Sequence, residues 1–117
     1  MNPLPTGLLA LLLLAAPLPA ATVRVPEDHR QIQLAVDAAK AGDTVLVAAG
    51  TYRERVKLKA GVTLRSAGND APGKTGLARA EATVIDGGGT PEPRAGVEMA
   101  AGAVLDGFTV ANVGRYD

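Results

Sequence analysis

Beyond Gly42 no stretch of this chain reads as a long element, and that limits what it can fold into. TVLVA (44–48), RVKL (55–58), VTLRS (62–66), ATVID (82–86), GVEM (96–99), AVLDG (103–107) and FTV (108–110) are short β-type runs. Gly, Pro, Asn or Asp turns stand between most of them. The early turns, AAG and KAG, leave almost no connecting chain. Strands this short carry too little apolar surface to stand alone, so they must share one core. That core is aliphatic, because the chain has one Phe, two Tyr and no Trp. The same scarcity leaves little aromatic surface on which sugars or bases could stack. With no Cys in the sequence, disulfide staples and thiolate metal sites are excluded.

One helical stretch precedes the strands, in VPEDHRQIQLAVDAAKAGD (25–43). Ile32, Ala35, Val36 and Ala39 recur at helical spacing and form a narrow apolar stripe. Pro26, Glu27 and Asp28 suit the start of the helix, and Gly42 suits a left-handed stop after it. A helix with one apolar stripe must cover something. Two runs also repeat: Val84-Ile85-Asp86-Gly87 and Val104-Leu105-Asp106-Gly107 stand twenty residues apart, with Val62-Thr63-Leu64 about one period upstream. A period near twenty with several short strands predicts a coil that stacks on itself, an all-β solenoid, with the helix as a plug over its first rung. Val84 and Val104 are then expected to be equivalent in adjacent parallel strands.

IQLAVDAAKAGDTVLVAAGTYRERVKLKAGVTLRSAG (32–68) resembles the opening of secreted right-handed parallel β-helix proteins of the pectin-lyase-like superfamily, and VLDGFTVANV (104–113) is similar to their later rungs. The likeness covers about Val25 to Val113. It implies a right-handed parallel β-helix with an N-terminal capping α-helix, truncated after the first few rungs. It also implies a protein that binds or processes polysaccharide, either as a lyase, hydrolase or esterase with its site beyond residue 117, or as a non-catalytic structural or adhesive surface module.

The N-terminal MNPLPTGLLALLLLAAPLPAATVRV has an apolar run from Leu8 to Ala16, broken by Pro17 and Pro19. It is shorter than the roughly 20 residues that cross a bilayer. It fits a secretory signal over residues 1–21, cut after Ala20 or Ala21, although no Lys or Arg precedes it. With no Cys at the cut, a lipid anchor there is excluded. Residues 22–117 are then one small domain, secreted or periplasmic. Its 12 basic and 12 acidic residues balance, so charge offers no reason to expect nucleic acid or an anionic membrane as partner. ANVGRYD (111–117) is no cap for a solenoid, which leads to the expectation that the chain is the N-terminal piece of a longer protein or a truncated reading frame.

Asp86 and Asp106 are the candidate site residues. In register they would sit one rung apart, about 5 Å, where paired carboxylates can hold calcium or cleave a glycosidic bond. The competing reading gives each Asp-Gly a corner between strands, since Asp bonds its own backbone and Gly permits positive φ. Alternation places Tyr52, Glu54 and Val56 on one side of GTYRERV and Arg53 and Arg55 on the other, where they could serve an acidic polysaccharide. His29, the one histidine, belongs to the approach to the helix, and Asn112 to a turn.

GNDAPGKTG (68–76) has the spacing G-x-x-x-x-G-K-T of a phosphate-cradling loop, and TVID (83–86) mimics the apolar run ending in Asp that holds magnesium. A nucleotide-binding protein is therefore a further alternative. Only about seven residues separate Thr75 from that run, fewer than the ten to twelve a crossover helix needs. Residues 67–81 are expected instead to form a surface excursion, with Lys74 toward solvent and no affinity for ATP.

Overall fold

The computed structural model describes residues 19–89 and 94–114. The signal expected over 1–21 lies outside them except for Pro19, Ala20 and Ala21, and so do the last residues of ANVGRYD. Nine strands are formed: β1 (Thr22–Val25), β2 (Thr44–Val47), β3 (Gly50–Arg53), β4 (Val56–Lys57), β5 (Thr63–Ser66), β6 (Thr83–Asp86), β7 (Val97–Glu98), β8 (Val104–Asp106) and β9 (Thr109–Ala111). Two helices accompany them, α1 (Ile32–Ala38) and α2 (Ala78–Ala82). Every pairing between these strands is parallel. They make three small sheets, ordered β1-β2-β5-β8, β3-β6-β9 and β4-β7.

The all-β solenoid, a right-handed parallel β-helix under a capping helix, is corrected by this arrangement. The described residues form a small α/β fold of three small parallel sheets and two helices. The twenty-residue repeat does not stack. Val84 pairs with Thr51 and Thr109 in one sheet, whereas Val104 pairs with Thr63 in another. Nor is there a constant period. In the largest sheet Thr22 pairs with Thr44, Thr44 with Thr63 and Thr63 with Val104, so the steps are 22, 19 and 41 residues. The shared V-[IL]-D-G pattern reflects one local need met twice, a short strand followed by a glycine, buried at Ile85 but open at Val104.

The helix is likewise no end cap. It stands in the connection between β1 and β2, which are adjacent and parallel, as such strands require a crossover. Its stripe was read correctly, with Ile32, Ala35 and Val36 inside the core. Its start was not. Gln31 at the N-cap makes no side-chain cap, and the Ile32 and Gln33 amides donate instead to the two carboxylate oxygens of Glu54, both at 2.9 Å. Asp28 takes the Arg24 amide at 2.8 Å. At the other end Lys59 Nζ donates to the carbonyls of Asp37 and Ala39 at 2.7 and 2.9 Å, a cation where the helix dipole is negative. Gln33 also pairs with the backbone of Lys57 in both directions, accepting from its amide at 2.7 Å and donating to its carbonyl at 3.1 Å. It thereby ties β4 to the helix.

The core is a set of aliphatic ladders. Val23, Val45, Leu64 and Leu105 follow one another across the largest sheet, and Val25 and Val47 lead to Ser66. Ile85 continues the interior beside Tyr52, and Val56, Leu58 and Val62 close it. Side chains buried on this scale contribute about 1.5–3 kcal/mol each.

Candidate functional site

Two polar regions arise where the strand ends meet the connections. The first lies at the end of β5. The column Val25–Val47 would continue as a third apolar residue, but Ser66 stands there, fully buried. Its hydroxyl accepts from Arg79 Nη1 of α2 at 2.9 Å. The same guanidinium donates to the Asp106 carbonyl at 3.0 Å, to Asp106 Oδ1 at 2.7 Å and to Asp70 Oδ1 at 3.1 Å. Arg65 reaches Asp106 Oδ2 at 3.2 Å from the neighbouring strand. The Arg79 side chain is 4% exposed. Its bond to Asp106 is the main reason that it holds its proton more firmly than usual. This network pins residues 67–81 to the sheet. Gly107 makes room for it, since a Cβ there would collide with Arg79 Nη1 and Ser66 Oγ.

Asp86 has other partners. Its Oδ1 accepts the Gly88 amide at 2.8 Å and its Oδ2 the Asn112 amide group at 3.1 Å. Those two bonds, the backbone one first, hold its carboxyl below the usual carboxylate range. Asp86 in β6 and Asp106 in β8 therefore stand in different sheets and are not brought together. Among the described residues no group of three or more His, Asp or Glu gathers as a metal site. Asp106 is engaged with two arginines, and Asp86 closes a turn against Asn112, whose φ of 53° is left-handed.

The second region is a cleft of about 350 Å³ between the approach to α1 and β3, lined by Arg30, Gln31, Thr51, Tyr52, Arg53 and Glu54 among others. Alternation along β3 works as the sequence predicts. Tyr52 turns to the core and Arg53 to solvent. Tyr52 donates its hydroxyl to the Ala48 carbonyl at 2.7 Å, and burial, then Glu54 and Glu27, push its phenol up. Glu54 is committed to the amides of α1. Arg30 and Arg53 are exposed, and neither forms an ion pair among the described residues. Arg55, grouped with Arg53 in the sequence, is spent on the carbonyls of Arg94, Ala95 and Val113.

Comparison with family models, curated proteins and solved structures found no match. The chemistry must therefore be read from these residues alone. The cleft offers two cations, the hydroxyl and amide of Thr51 and Gln31, and a tyrosine edge. That is equipment for holding an anionic, hydroxyl-rich ligand. Sequence reasoning found Arg53 through alternation. It missed Arg30 and Arg79, whose roles depend on what the fold carries next to them.

Proposed function

We propose that this chain binds an acidic polysaccharide outside the cytoplasm, with the cleft between the approach to α1 and β3 as the contact. The observation that supports it is the pair Arg30 and Arg53 on one open cleft, both exposed and without ion-pair partners among the described residues. Guanidinium groups hold carboxylates through two parallel hydrogen bonds, which suits a uronate residue. Export is part of the same proposal. Cleavage after Ala20 would leave the new amine at Ala21, whose nitrogen already donates to Asp43 Oδ1 at 2.9 Å. Cleavage after Ala21 would discard that link.

The test is titration of the exported protein with a polyuronate and with a neutral polysaccharide of similar length. Saturable binding of the polyuronate alone is expected. Arg30→Ala or Arg53→Ala should weaken it about tenfold, the worth of one charge-assisted hydrogen bond, and added salt should weaken it further. Equal binding of both polymers, or binding indifferent to both substitutions, removes the cleft as the site. The mass of the exported chain should place its first residue at Ala21.

A further inference from the structure

The G-K-T pattern has an unexpected outcome. Residues 67–81 leave the sheet after β5 and return through α2, as an excursion should. β5 and β6 nevertheless belong to different sheets, so no βαβ unit is formed around the loop. Pro72 and Leu77 bridge in antiparallel fashion and the Gly73 amide donates to the Gly76 carbonyl, which curls the chain into a tight bend. The donors at its tip converge. The amides of Lys74 and Thr75 and the hydroxyl of Thr75 all point at one carboxylate, that of Glu81. The Thr75 amide is 2.6 Å from Oε1, its hydroxyl 3.1 Å from the same oxygen, and the Lys74 amide 3.1 Å from Oε2. Gly73 lies so close that a Cβ on it would collide with the Glu81 carboxylate.

Successive amides turned toward one point make a concave anion receptor, the arrangement by which such loops hold phosphates. Here an anion already occupies it, and the anion belongs to the chain. We propose that residues 73–76 form an oxyanion-binding loop that Glu81 keeps filled, and that a phosphate-type oxyanion takes the place of that carboxylate when it is removed. The donors lie in the bend and not at a helix end. Three such donors suit a tetrahedral oxyanion as well as a carboxylate, and Lys74, exposed on the same loop, supplies positive charge. The pattern is thus present without a free phosphate site, because its ligand is covalently attached seven residues from Lys74.

Inorganic phosphate is the probe, and the backbone amide resonances of Lys74 and Thr75 are the readout. The unaltered chain should show no saturable change. Glu81→Ala should bind phosphate at least about tenfold more tightly than the unaltered chain, as expected when one charge-assisted competitor is removed, with both amides shifting together. Glu81→Gln, which keeps a neutral acceptor in the loop, should fall between them. If neither variant's amides respond to phosphate, the loop is no oxyanion receptor. If the unaltered chain binds as tightly as Glu81→Ala, Glu81 is not its occupant.

Discussion

Single residues carry much of the specificity in this fold, and Gly107 is the sharpest case. Its φ of +83° disfavours any side chain, and the space a Cβ would take holds Arg79 Nη1 and Ser66 Oγ. Gly88 has a similar φ of +80° but opens onto empty space. Left-handed backbone costs a residue with a side chain about 1 kcal/mol or more. Gly107→Ala should therefore cost clearly more than Gly88→Ala, about 3 kcal/mol against about 1, in denaturant unfolding. Equal losses would mean that the Arg79 network yields freely. The asparagine at 112 and the Asp-Gly turns were recognisable from composition. The partners of those aspartates were not, because sequence spacing says nothing about which strand lies alongside.

At the level of elements, α1 shows how little a short helix owes to itself. It has seven residues, no acidic residue in its first turn and no basic residue in its last. Glu54 and Lys59, from the far side of β2 and β3, satisfy its ends. What holds it is the buried stripe. Val36→Asp should destabilise the protein by several kcal/mol, since the ion would be buried without a partner. Leu34→Asp is the control, because Leu34 is 48% exposed, and it should change stability by no more than about 0.5 kcal/mol. Thermal unfolding of the two variants separates them. Indistinguishable melting curves would show that the stripe is not what anchors the helix.

For the whole molecule, three carboxylates share one electrostatic logic. Asp43 accepts the amides of Ala21 and Lys40, Glu81 those of Thr75 and Lys74, and Asp86 that of Gly88. In each case these backbone bonds are the leading cause that lowers the carboxyl below its ordinary value. A lowered carboxyl binds fewer protons in the folded state than in the unfolded one. The stability it contributes is present above the ordinary carboxylate range and is lost as the pH falls through the lowered value. Melting temperature should hold steady near neutrality and decline once the pH drops below about 4. A melting temperature that rises on acidification would contradict the assignment.

Local patterns were legible in the sequence because they depend on neighbours in the chain. The helical stripe of Ile32, Ala35 and Val36, most of the short strands, the alternation through Tyr52 and Arg53, and the excursion over 67–81 follow from periodicity and turn chemistry. Strand β1 and helix α2 were not predicted. β1 borders a signal-like segment, and α2, at five residues, is too short for any periodicity to register. Tertiary structure alone decided the pairing. A repeat read from two similar runs assumed that similar strands stack, yet parallel strands choose partners by the length and course of their crossovers, and paired residues in one sheet stand 22, 19 and 41 positions apart. The same holds for the sites. Asp86 and Asp106 look alike in sequence and were separated by pairing, whereas Arg30 and Arg53, far apart in sequence, were brought onto one cleft by the fold.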